Sequence, residues 1–86
     1  MDFEYDSKKS LLNKEKHGID FIEAQNIWDD PECVMIPART KNEPRYLIIG
    51  MYNGKIWSAI FTLRNKKIRI ISVRRSRKNE EEIYRS

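Results

Sequence analysis

The sequence predicts an α+β fold: a central antiparallel β-sheet of about four strands with two N-terminal helices and one C-terminal helix. Three observations carry this expectation. Up to Pro31, apolar residues recur at helical spacing between strong capping signals. From Cys33 onward the pattern changes to apolar runs broken by short polar turns. After Ser76 the chain returns to an acid-rich, helix-forming composition. With 86 residues, the chain is expected to form one domain over residues 1–86 with a modest core.

The first element is a short strand in "FEYD", with Phe3 and Tyr5 on one side. Asp6 or Ser7 can cap a helix over "KKSLLNKEK", and Gly18 after His17 supplies a left-handed stop. "DFIEA" reads as a capping box in which Asp20 accepts from the first turn and Glu23 reaches back, with Ile19 stapled on Ala24. The second helix then presents Phe21, Ala24 and Trp28 on one face, flanked by Ile27, until Pro31 stops it. "CVMIPAR" and "RYLIIGMY" are strands joined by the polar "TKNEP". Asn53-Gly54 is a two-residue hairpin signal leading into "KIWSAIFTL". "RNKK" turns the chain into "IRIISVR", and Ser76 can cap a last helix over 77–85. The middle strands are apolar on both faces, so helices cover one side and a further element covers part of the other.

Charge is distributed unevenly. Residues 1–44 hold six Lys/Arg and ten Asp/Glu, a net of −4; residues 45–86 hold eleven and three, a net of +8. Arg64 to Lys78 contains eight cations and no acid. Such a segment predicts a polyanionic partner. The other chemistries find little support. One histidine and scattered acids form no metal motif, the three glycines are too far apart for a phosphate loop, and Cys33 in an apolar strand reads as inert core. A single cysteine, no apolar run of membrane-spanning length and the acidic start "MDFEYD" fit a reducing, cytoplasmic setting.

Strict alternation along the basic strand puts Ile68, Ile70, Ser72 and Arg74 on one face and Arg69, Ile71, Val73 and Arg75 on the other. Arg64 falls near Lys67 and Arg69 across the turn, while Arg45 opens another strand, so the cations form a stripe across the sheet. Tyr46, Tyr52 and Trp57 are available for base stacking, with core packing the expectation for Trp57. No helix carries a cluster of base-reading cations, so DNA is the less supported ligand. A catalytic reading is available for RNA, whose 2′-OH can attack the adjacent phosphate without a metal. It needs proton carriers, for which Lys16, His17 and Tyr84 are candidates, and cations around the phosphorane, for which Arg64, Arg74 and Arg75 are candidates. The plainer readings place His17 against the helix dipole and Tyr84 in last-turn packing. A non-catalytic RNA-binding module, or an interaction module with a basic sheet face, fits the same composition.

Four spaced blocks extend the reading: "FEYD…K…N..KHG" at 3–18, "F.EA..IW.DP" at 21–31, "E.RYLIIG" at 43–50 and "RIISVRR…E…Y" at 69–84. On these the chain resembles the BrnT-type ribonuclease toxins of bacterial type II toxin–antitoxin systems along nearly its whole length. The resemblance implies a RelE-like fold and a metal-independent endoribonuclease, without cofactor, that inhibits translation. It implies a BrnA-type antitoxin partner whose ribbon-helix-helix part binds operator DNA, so that the toxin reaches DNA only through that partner. It places Lys16 and His17 in the "KHG" block, Arg64 at a strand end, Arg69, Arg74 and Arg75 in the basic strand, and Glu80 and Tyr84 in the last helix. Arg64, Arg74, Arg75, His17, Lys16 and Tyr84 are then the catalytic candidates, and Arg45, Lys67, Arg69 and Arg77 the RNA-binding ones. The chain departs from the family pattern at Tyr5 (usually Trp), Ser7 (often Pro), Trp28 (usually Phe) and Val73 (usually small). The first three are expected to be packing changes, the fourth a small shift of the arginine pair.

Overall fold

Two left-handed turns set the register of the sheet. In the computed structural model, which describes residues 2–39 and 42–86, Asn53 and Gly54 have φ of 54° and 76°. Asn65 and Lys66 have φ of 52° and 65°. Two successive positive-φ residues make the tight turn whose twist matches that of paired strands. These turns join β3 (Arg45–Tyr52) to β4 (Lys55–Arg64), and β4 to β5 (Lys67–Arg75). β2 (Val34–Ala38) pairs antiparallel with β3. At the opposite edge β1 (Phe3–Glu4) lies parallel to β5.

Among the described residues the sheet therefore has five strands in the order β1-β5-β4-β3-β2 and is mixed, where about four antiparallel strands were expected. β1 is only two residues long, and local patterning says nothing about the direction in which so short a strand docks.

The expected pair of N-terminal helices is one α-helix, α1 (Ser7–His17), and one 3-10 helix (Glu23–Asp29). Asp6 caps α1 by accepting from the amides of Lys8 (2.8 Å) and Lys9 (3.2 Å), and Gly18 closes it at φ 78°. Ser7 occupies the first helical position, where proline is also tolerated. Asp20 and Glu23 form the expected reciprocal cap. The tighter helix that follows has a packing reason. Phe21, Ala24 and Ile27 are all fully buried at a spacing of three, the period of a 3-10 helix, while Trp28 is only half-buried. Ile27 sits directly over Gly50, where an added Cβ would meet its side chain and its carbonyl oxygen, both at 2.9 Å.

These segments cover one face of the sheet, burying Ile48, Ala59, Phe61, Ile70 and Val73. Trp28 packs edge-on to Phe3 and Phe61, and Tyr5 edge-on to Phe21, so both rings take part in packing this layer. On the other face Leu47, Ile49 and Ile56 are covered in part by Tyr84 of α2 (Lys78–Arg85). Helices thus lie on both sides of the sheet, as its two-faced apolar strands require. α2 starts after Arg77 rather than after Ser76: Glu80 accepts from the Arg77 amide (2.8 Å), and the Ser76 hydroxyl bonds that of Ser58 (2.7 Å).

β5 is not regular. Ile60 pairs with Ser72 but Phe61 pairs with Ile70, leaving Ile71 as an extra residue. This bulge overturns the strict alternation expected from sequence. Ile68, Ile70 and Val73 all belong to the core on the α1 side, although 70 and 73 are three residues apart.

Candidate active site

β1 stops at the Glu4–Arg69 pairing, so the outer edge of β5 has no strand beside it farther along. Asn13 of α1 takes that place. Its Oδ1 accepts from the Val73 amide (3.2 Å), and its Nδ2 donates to the carbonyls of Val73 (2.9 Å) and Ile19 (2.8 Å). α1 runs in the same direction as β5, because Glu4, just before its start, pairs with Arg69 whereas Asn13 reaches Val73. His17 lies one helical turn beyond Asn13, and Arg75 lies two strand residues beyond Val73. Each is ~6 Å farther along its own element in a shared direction. The end of α1 and the end of β5 thereby form one corner of the molecule, with Lys16 exposed beside His17.

Arg75 is exposed at this corner, and its guanidinium carbon lies 5.6 Å from the centroid of the Trp57 ring. Trp57 itself is buried, and its indole N–H donates to the Tyr52 carbonyl (3.1 Å), so the ring is a fixed platform. Among the described residues Arg75 has no carboxylate partner.

Arg74 points to the opposite face. It is opposite Ser58 in the ladder, whereas Arg75 is opposite Trp57. Its two terminal nitrogens donate to the two oxygens of Glu80 at 2.7 and 2.8 Å. The side chains of Arg74 and Arg75 do not converge on one surface, because adjacent strand residues beyond the bulge point to opposite faces.

The chain matches the sequence model of a family described as the ribonuclease toxin BrnT of type II toxin–antitoxin systems, over residues 5–80. It belongs to this family. Comparison with individually curated proteins gives no match. A type II BrnT toxin has an antitoxin as its partner. Among the described residues no helix is long and apolar enough to cross a membrane.

For a BrnT-family ribonuclease, the candidates divide into two ends of the sheet. His17, Lys16, Arg74, Arg75, Arg77 and Tyr84 lie toward the end where β5 finishes and β4 begins. Arg64, Arg45, Lys67 and Arg69 lie toward the β4–β5 turn. Arg64 lies seven residues along β4 from Trp57, ~23 Å of strand. Arg64 donates to both oxygens of Glu43 (3.1 and 3.2 Å), and Arg69 pairs with Glu4 (3.1 Å), while Arg45 and Lys67 are exposed. Arg64 is therefore not brought to the His17–Arg75 corner.

Tyr84 donates a 2.6 Å hydrogen bond to Asp30, which also accepts from the amides of Met51 (2.7 Å) and Glu32 (2.9 Å). Burial opposes the charge on Asp30, but these three bonds outweigh it and lower its pKa. The bond to that carboxylate pushes the Tyr84 phenol up to about 12, which makes it a poor proton acceptor near neutrality. Asn13 stands within the "N..KHG" block, where nothing local to the sequence assigns it a role. The available signal was its helical spacing, four residues before His17.

Proposed function

We propose that this toxin cleaves RNA by metal-independent transesterification at the corner formed by His17, Lys16 and Arg75. The observation that carries the reading is the Arg75 guanidinium, which rests over the Trp57 ring with no carboxylate partner among the described residues, at the same corner as the chain's single histidine. In this reaction a base removes the proton of a 2′-OH, and the oxygen attacks the adjacent phosphorus. The bond to the 5′-oxygen breaks, and that oxygen takes up a proton. The products are a 2′,3′-cyclic phosphate and a 5′-hydroxyl. Arg75 neutralises the oxygens of the phosphorane, with its charge fixed before the substrate arrives. His17 carries the proton, as imidazole side chains do near neutral pH. Lys16 adds positive charge at the phosphate.

Arg45, Lys67 and Arg77 extend the basic surface and hold the rest of the strand. Each phosphate neutralised along it adds about −0.7 to the slope of log K against log salt. Arg74 supports the site from behind through Glu80. RNA loss accounts for inhibited translation in the bacterial cytoplasm. A BrnA-type antitoxin neutralises the toxin by covering this corner with a neutral or acidic segment, and brings the pair to operator DNA.

The test is incubation of purified protein with total RNA in excess chelator, with and without the antitoxin. Fragments ending in cyclic phosphate, lost in His17→Gln, are expected. Cleavage only after a divalent ion is restored would reject metal independence. RNA that stays intact in both conditions yet binds in a salt-dependent manner would favour the non-catalytic RNA-binding reading.

A further inference from the structure

We infer that Asn13 is a positioning residue for RNA cleavage, setting the separation of His17 and Arg75 by tying the end of α1 to the open edge of β5. The inference rests on the active-site reading above. Asn13 is 7% exposed on the inward side of a helix whose leucines, Leu11 and Leu12, are 68% and 62% exposed. This reverses the usual helix, which turns its apolar residues inward. The buried amide completes three backbone groups: the Val73 N–H, the Val73 carbonyl and the Ile19 carbonyl. An apolar side chain would leave all three without their partner.

The location distinguishes Asn13 from an ordinary buried polar group. Its bonds to Val73 come two residues before Arg75, and its bond to Ile19 comes two residues after His17. The turn that carries His17 is thus held on both sides by one side chain. The bulge at Ile71 lies two residues before Val73 on the β4 side, and regular pairing resumes at Ser72 and Val73. Asn13 supplies the anchor on the outer edge of β5, where no strand pairs with Val73. A shift of about 1 Å between a proton carrier and the cation it works with lowers a rate by about 10²-fold.

The experiment compares Asn13→Asp, Asn13→Ser and, as a matched control, Ser10→Ala. Ser10 also ties α1 to the following loop, accepting from the Phe21 amide (2.9 Å), but lies almost two turns before His17. Asn13→Asp keeps the size of the side chain and the acceptor for Val73, but its ionised form cannot donate to either carbonyl. Asn13→Ser retains one donor and is small enough to leave the core unstrained.

Both Asn13 variants are expected to lower kcat about 10²-fold with KM for RNA changed less than about threefold. The Cε1–H NMR signal of the single histidine should move in both. Ser10→Ala should lower Tm without changing kcat or that signal. Asn13 variants that lower Tm alone, with kcat per folded molecule and the histidine signal unchanged, would overturn the inference. If His17→Gln also left cleavage intact, the active-site reading itself would fail. If His17→Gln abolished cleavage while both Asn13 variants kept the wild-type kcat, only the role of Asn13 would fail. Should Asn13→Asp not fold, Asn13→Ser with its single retained donor decides the same question.

Discussion

Arg74 and Glu80 form a two-pronged ion pair behind the end of β5, at 2.7 and 2.8 Å, with Glu80 only 6% exposed. The Arg74 guanidinium is the main force holding the Glu80 carboxyl down to about 2. The Arg77 amide and Ser58 hydroxyl help it against the opposing effect of burial. This folded pKa is depressed below the ordinary 4.5. Its contribution is therefore complete above pH 4.5 and is lost as pH falls from there toward 2. The loss is on the order of 3 kcal/mol. Urea unfolding across pH 2–6 should show it. Glu80→Gln should flatten that acid limb and also destabilise the protein at pH 7 by about 3 kcal/mol, because Arg74 is left without its counter-charge. An unchanged acid limb in the variant would show that other carboxylates govern it.

Tyr84 should matter for docking α2 and not for proton transfer. Tyr84→Phe removes one hydrogen bond to Asp30 and is expected to cost about 1 kcal/mol in chemical denaturation. RNA cleavage should stay within about twofold of wild type. Because the folded phenol is raised to about 12, its stabilising effect is present below pH 10 and disappears as pH rises toward 12. An ultraviolet titration should show a late phenol ionisation, and this late step should be missing in the variant. A hundredfold loss of cleavage in Tyr84→Phe would return the phenol to the reaction.

The two neighbouring arginines should separate in their effects. Arg75→Ala is expected to reduce cleavage by roughly 10²–10³-fold with a small change in Tm, because its charge faces the proposed phosphate site. Arg74→Ala should mainly lower stability, by stranding the buried carboxylate. Parallel measurements of kcat and Tm check this. The reverse pattern would place the phosphate on the α2 face of the sheet.

Gly50→Ala tests the closest approach between layers. The new methyl would meet both the side chain and the carbonyl oxygen of Ile27 at 2.9 Å. The backbone of the 3-10 helix must move to accommodate it, with an expected cost of about 1–3 kcal/mol. Thermal unfolding measures the effect, and a Tm within 1–2 °C of wild type would show that the layer has slack there.

What was legible beforehand was mostly local. The Asp6 cap, the Gly18 stop, the Asp20–Glu23 box and the Asn53-Gly54 turn each depend on a few adjacent residues, and all are present as expected. The start of the last helix was displaced by one residue because Ser76 found a hydroxyl partner on β4 instead. The second helix was foreseen, but its 3-10 pitch was not. That pitch goes with burial of Ala24 and Ile27 three residues apart against the sheet, where Ile27 meets Gly50 from a distant part of the chain. For the site, the residue types were readable and their grouping was not. Arg64, Arg74 and Arg75 look equivalent in a basic run, yet one pairs with Glu43, one with Glu80, and one rests on Trp57.

By itself the sequence determined where each turn falls, which runs are strands, that the second half is strongly cationic, and which family the chain resembles. These follow from local backbone preferences, side-chain period and the count of charges. Only the tertiary structure decided that β1 runs parallel to β5, that Ile71 is squeezed out of register, and that Asn13 reaches across sixty residues to Val73. A bulge and a long-range hydrogen bond arise from packing two layers against one sheet. No short window of sequence contains both partners.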